Sequence, residues 1–261
     1  MTYINSSVIL FFFILHTILG NPIAIEDESY EYGDNFQGDI ILSEELENDL
    51  KGLNSRRQRT GLIDTRYRWP KDASGNVIVP YTFDSSAADP EKNIVVEGLR
   101  ELEAQTCIKF IPRTNEKDYV EIMNGSGCSS YLGRRGGKQT MSLKRFGCVH
   151  KGVVIHEFIH ALGYTHIHNH VDRDKYVTVN FENIPQDKRH NFVIVNDARY
   201  GNYNTEYDFD SIMHYSRRAF SSNGLDTIVP HDTSYYYKIG QRSKLSLGDV
   251  TRIRNMYQCH V

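Results

Sequence analysis

His156-Glu157-Phe158-Ile159-His160-Ala161-Leu162-Gly163-Tyr164-Thr165-His166 is the stretch on which the reading of this chain turns. With Val154 and Ile155 before it, its apolar residues Phe158, Ile159 and Leu162 recur at helical spacing, so residues 153–164 read as a buried helix. On a helix, His156 and His160 stand one turn apart and point the same way. Both imidazoles then reach one zinc ion at about 2.0–2.1 Å. Glu157, beside the first ligand, leans over the metal from the side, placed to accept a proton from the attacking water. Gly163 stops the helix, because a left-handed cap suits glycine best, and His166 can then turn back to the same ion. Three protein ligands leave an open position, which marks a catalytic rather than a structural zinc site. A buried helix with incidental histidines is a poor rival, since it strands three polar rings on an apolar element.

A second motif, Ser211-Ile212-Met213-His214-Tyr215, lies downstream. Alone, a methionine in a loop is packing. After a zinc motif of this kind, Met213 reads as the apolar floor beneath the histidines. Tyr215, two residues on, brings a phenol within reach of the metal or of a developing oxyanion. His214 reads as a packing residue beside the site, and His168 and His170 as solvated loop histidines.

The charge pattern organises the rest. The 261 residues sum to a formal −3, but unevenly. Residues 1–20 carry no charged side chain and hold an apolar run too short for a comfortable membrane span, ending at Gly20. They read as a signal peptide, hence a secreted, extracellular protein with no stable membrane anchor. Residues 21–59 carry a net −6 and end in Arg56-Arg57-Gln58-Arg59, a natural site for a trypsin- or furin-like protease. They read as a removable pro-segment, with cleavage between Arg59 and Thr60. Residues 60–261 carry only +3, too little and too scattered for a nucleic-acid surface. That length suits one sizeable domain. Cys107, Cys128, Cys148 and Cys259 all lie in it, an even set that reads as two disulfides with three possible connectivities. Asn124-Gly125-Ser126 is a glycosylation sequon at Asn124.

Within the body, Val77–Phe83 reads as a strand that Pro80 assigns to an edge or a bulge. Residues 90–103 form a helical stripe with Asp89 as its cap. Residues 107–111, 119–123 and 140–143 read as short strands, and 246–256 as a closing helix. The chain between is rich in Tyr, Asn, Asp and Gly and reads as irregular.

Together these residues resemble the astacin family of metzincin zinc endopeptidases. The resemblance rests on the zinc motif at 156–166, Asp172-Arg173-Asp174 after it, Ser-x-Met-His-Tyr at 211–215 and Gly127-Cys128-Ser129-Ser130-Tyr131-Leu132-Gly133-Arg134. Trp69 and the pro-segment's Phe36-Gln37-Gly38-Asp39 also match. It implies an α+β, two-lobed catalytic domain with a twisted, mostly antiparallel N-terminal sheet, an active-site helix and an irregular C-terminal lobe ending in a helix. It implies one Zn2+ per subunit held by His156, His160 and His166, with Glu157 and Tyr215 catalytic. It implies the pairs Cys107–Cys259 and Cys128–Cys148. Protein or peptide substrates would lie along an edge strand at Cys128, Ser129, Ser130 and Tyr131, and Asp39 would ligate zinc in the precursor. Two positions depart from the family: Ile167 stands where Glu is usual after the third histidine, and His170 where Arg is usual. The competing classes are a catalytically silent secreted binding protein on a protease scaffold and a zinc hydrolase of non-peptide substrates.

Overall fold

The structure, a computed structural model, describes residues 33–51, 62, 64–194 and 203–259. The signal-peptide reading at 1–20 and the Arg59–Thr60 junction fall outside the described residues. The elements in chain order are β1 (Ile40–Ile41), α1 (Glu44–Lys51), β2 (Val77–Phe83), α2 (Asp89–Gln105), β3 (Ile108–Pro112), β4 (Tyr119–Met123), β5 (Cys128–Tyr131), β6 (Lys138–Leu143), α3 (Lys151–Ala161), β7 (Val177–Val179), β8 (Ile228–Pro230) and α4 (Leu247–Tyr257). No helix among the described residues is long and apolar enough to cross a membrane.

Six strands form one sheet in the order β1-β5-β6-β4-β2-β3. The α+β class holds, but the sheet is mostly parallel, not mostly antiparallel. β2 runs parallel to β3 and β4, β4 parallel to β6, and β1 parallel to β5; only β5 and β6 are antiparallel. The reason is connectivity. Helix α2 supplies the crossover that returns the chain from β2 to a parallel β3. The next pair is staggered: β3 lies beside residues 77–81 of β2, and β4 beside residues 81–83. A short loop therefore joins two parallel strands on opposite sides of β2.

That stagger also corrects the placing of Pro80. It sits on an interior strand, between β3 and β4. Pairing with β4 begins only at Tyr81, and the Ile78 N–H on the same side is taken by the Pro70 carbonyl. Pro80, which has no N–H to offer, fills the gap between those two contacts. Asp89 is corrected likewise: it is the first residue of α2, not its cap. The Ala88 N–H donates to Glu91 Oε2 at 2.8 Å instead.

The described residues form two apolar cores, and α3 lies in the first. The first collects Val79, Leu99, Leu102, Val120, Phe158 and Leu162 beneath the sheet. The second gathers Ile167, Val177, Ile184, Phe192, Tyr215 and Ile228 in the later half, around the β7–β8 pair and a series of 3-10 turns. Every residue from Gly152 to Ala161 is buried. The carbonyls that end α3 are capped by side chains from both ends of the domain. Trp69 Nε1 donates to Ala161 O at 2.8 Å, and the Tyr257 hydroxyl to Leu162 O at 2.9 Å. Cys107 is bonded to Cys259, closing the start of β3 onto the chain after α4, and Cys128 to Cys148, tying β5 to the approach of α3.

Candidate metal centre

Helix α3 presents His156 and His160 on one face, and Gly163 turns the chain off it. Its φ is +105°, a region that favours glycine, and its N–H closes on His160 O at 2.8 Å. The turn brings His166 back, and the three Nε2 atoms converge. His156 Nε2 lies 3.1 Å from His160 Nε2 and 3.2 Å from His166 Nε2. A fourth atom joins them from the acidic segment: Asp39 Oδ2 is 3.1 Å from His156 Nε2 and 3.4 Å from His166 Nε2. All four residues are buried.

The protonation pattern of these groups tests whether a metal fits. His156 Nδ1 donates to Ile212 O at 2.8 Å, His160 Nδ1 to Tyr164 O at 2.6 Å, and His166 Nδ1 to Gln37 Oε1 at 3.2 Å. Burial pushes His156 well below its ordinary range and His166 to about 4, so both rings are neutral. With Nδ1 carrying the proton, the Nε2 atoms of these two neutral rings offer only a lone pair. The two lone pairs and a carboxylate oxygen face one another beside His160 Nε2, whose own Nδ1 is turned to a carbonyl, an arrangement that a cation resolves. Tetrahedral ligands at about 2.0–2.1 Å stand about 3.3–3.4 Å apart, close to the spacing here, and the donor set suits zinc.

The model of the Astacin peptidase family matches residues 63–258. The chain belongs to the astacin family. It is 40% identical over 215 residues to high choriolytic enzyme 1 of Oryzias latipes, covering 82% of this chain and 78% of that protein. It is 41% identical over 192 residues to the low choriolytic enzyme of the same fish, covering 74% and 69%. The solved structure of high choriolytic enzyme 1, a hatching enzyme zinc-protease, superposes with a TM-score of 0.71 over 76% of this chain and 97% of that one. The protein is thus a zinc metalloendopeptidase, with zinc as its cofactor.

The remaining parts of this astacin-family site lie around the triad. Both oxygens of Glu157 are buried without a hydrogen-bond partner. Burial first, and the nearby Asp39 charge second, hold its carboxyl well above the ordinary range. Met213 is fully buried in the first core. Its turn is pinned from α4: Ser211 Oγ donates to Asp249 Oδ1 at 2.6 Å and the Ile212 N–H to Asp249 Oδ2 at 2.9 Å. The Tyr215 hydroxyl donates to Gln37 O at 2.6 Å. His214 is buried between Tyr207, whose hydroxyl donates to its Nε2 at 2.6 Å, and Tyr215 O, which accepts from its Nδ1 at 2.7 Å. β1 lies along the outer side of β5, with Ile40 opposite Ser130 and Ile41 opposite Tyr131.

His168 and His170 are not solvated, as the sequence suggests, but buried. The 3-10 turn at Ile167–Asn169 folds back into the second core. There His168 stacks on the Tyr215 ring, centroids 3.7 Å apart, and its Nε2 donates to Asn191 O at 3.1 Å. His170 Nδ1 accepts the Asp172 N–H at 3.1 Å, and burial lowers its pKa to about 4. Ile167 is fully buried among apolar neighbours of the second core. Sequence reasoning names Gln37 only as part of the pro-segment match, without its contacts to His166 and Tyr215, and misses Asp249. The Ser246–Asp249 capping box is visible in the sequence, but Asp249's bonds to the Met213 turn are tertiary.

Proposed function

We propose that the chain is the secreted precursor of an extracellular zinc endopeptidase: a signal peptide at 1–20, an inhibitory pro-segment at 21–59 and a catalytic domain at 60–261. The observation that carries this reading is the seat of Asp39. Its carboxylate, 1% exposed, completes the triad of His156, His160 and His166 from a segment separated from the body by an arginine cluster. The neighbouring Gln37 engages His166 and Tyr215, so the same turn covers two further parts of the site.

In the mature enzyme the three histidines hold the metal. Bound zinc supplies a Lewis acid that acidifies water and polarises a carbonyl. Glu157 takes the proton from the attacking water and hands it to the leaving amine. With Gln37 gone, the Tyr215 hydroxyl turns to the oxyanion forming on the scissile carbonyl. Met213 keeps an apolar floor under the histidines. The Ser130 and Leu132 N–H groups, now donating to Asp39 O and Ile41 O at 3.0 Å each, pass to the backbone of an extended substrate along β5. A trypsin- or furin-like protease opens the chain at Arg59–Thr60, and Asn124 carries a glycan.

Casein zymography of the secreted full chain, cleaved at the arginine cluster, tests this reading. Clearing that a zinc chelator abolishes and zinc restores is the expected result. No clearing after cleavage would instead favour a silent binding protein on the same scaffold.

A further inference from the structure

The acidic segment makes one set of contacts away from the metal. Helix α1 docks on the start of the body, where Arg66 and Tyr67 converge on one carboxylate. Arg66 Nη2 and the Tyr67 hydroxyl each donate to Asp49 Oδ2 at 2.8 Å. Arg66 Nη1 adds a bond to Glu45 Oε1 at 3.0 Å. Tyr67 is 3% exposed, so its hydroxyl is a fixed donor. Asp64, which belongs to the body, receives Arg66 Nε at 2.9 Å and Nη2 at 2.7 Å, and so orients the guanidinium independently of α1, leaving Nη1 and the second donor direction of Nη2 to face the acidic segment. The Arg66 side chain is 58% exposed, but two directional donors on one oxygen, one of them charged and the other on the buried Tyr67, make a carboxylate receptor at the surface.

This receptor lies beyond the C-terminal end of β5. Arg134, just beyond β5, holds it from behind: its N–H donates to Tyr67 O at 2.8 Å and its Nη2 to Arg66 O at 2.9 Å. The acidic segment leaves the metal at Asp39, follows β5 at Ile40 and Ile41, and then delivers Asp49 to the receptor.

We propose that in the mature enzyme Arg66 and Tyr67 form a distal specificity subsite for an acidic side chain of the substrate, three or more residues from the scissile bond. This rests on the reading that the segment carrying Asp39 and Asp49 leaves on activation. Its departure removes Glu45 and Asp49 from Arg66 and Asp49 from the Tyr67 hydroxyl, while Asp64 stays on Nε and Nη2 and holds the guanidinium in place. An acidic residue of an extended substrate takes the place of Asp49. Tyr67 makes the site selective for an acceptor, and Arg66 for a negative one.

The test uses the full chain, activated by limited trypsin cleavage, and a neutral fluorogenic peptide in which a single Asp is walked through each position on both sides of the scissile bond. One distal position, or two adjacent ones, should raise kcat/KM about three- to tenfold, mostly through KM, with a gain that shrinks as salt is raised. In Arg66→Gln the ratio of Asp peptide to neutral peptide should fall to about one, and in Tyr67→Phe part of the gain should remain. The Tyr67→Phe change keeps the ring and so tests the subsite even if Arg66→Gln disturbs folding. A flat profile in the unaltered enzyme, or a gain that persists in both variants, would overturn the subsite while leaving the endopeptidase reading intact. No cleavage of the neutral peptide would overturn both.

Discussion

His156 donates through Nδ1 to the carbonyl of Ile212 at 2.8 Å, so the first metal-facing histidine of α3 is aimed by the turn that carries Met213. That turn is held in its own place by Asp249, which accepts from Ser211 Oγ and from the Ile212 N–H. The orientation of His156 therefore runs back to one carboxylate in the first turn of the closing helix.

Asp249→Ala should loosen that chain of contacts. It strands two buried donors, at a cost of about 1–3 kcal/mol. Losing the support of a ligating histidine typically lowers metal affinity about 10- to 100-fold. Competition for zinc with a chromogenic chelator, alongside a thermal melt, measures both effects. Asp249→Asn retains an acceptor and should recover part of the affinity. Zinc affinity unchanged in Asp249→Ala would show that the Met213 turn holds itself.

Asp39→Ala should wake the uncleaved precursor. The substitution removes the carboxylate that faces all three histidines and so weakens the hold of the acidic segment on the site. Casein hydrolysis by intact Asp39→Ala precursor should stand clearly above that of the unaltered precursor. Equal silence in the two would end the assignment of Asp39 as the blocking ligand.

Gly163→Ala should destabilise the fold without touching a ligand. The backbone there has φ +105°, and an added Cβ would meet Met256 Cε at 3.0 Å. Strain of this kind costs about 1–3 kcal/mol, seen as a lower Tm by circular dichroism. An unchanged Tm would mean that the turn after α3 adapts more freely than its contacts imply.

Asp118 supplies a pH signature. Burial works against its charge, but the Gly137 N–H at 2.7 Å and the Arg134 guanidinium outweigh it, holding the carboxyl below the ordinary range. A carboxylate depressed in the folded state adds stability above its unfolded pKa, about 3.9, and loses it as pH falls through the folded value. Arg134→Met should thus lower the urea midpoint at neutral pH, with the gap to the unaltered protein closing in strong acid. Urea melts at several pH values between neutrality and strong acid measure that gap; one that persists in acid would assign the effect to Arg134's backbone contacts instead.

The active-site helix, its histidines and its glycine stop are legible in the sequence because they rest on local spacing. Even there the bounds shift, from 153–164 in the sequence to Lys151–Ala161, because Gly163 and the Trp69 and Tyr257 caps end α3 early. Strand direction is not legible, since it depends on the α2 crossover and on the stagger of β3 and β4 along β2. The burial of His168 and His170 is hidden for a similar reason. Polar residues after a helix read as loop, and only the fold shows that this loop turns back into the second core. Gln37 looks like spacer between Phe36 and Asp39 until its contacts with His166 and Tyr215 are seen.

In the proposed mechanism Glu157 moves the proton in a zinc-dependent cleavage of peptide bonds. The most direct measurement compares Glu157→Gln with the unaltered chain, both activated, for zinc content and peptide hydrolysis. Glutamine preserves the shape of a side chain that has no hydrogen-bond partner here, so one zinc per chain should remain. kcat should fall about a hundred- to ten-thousandfold, the usual worth of a positioned acid–base group. Full zinc with near-normal hydrolysis would contradict the account.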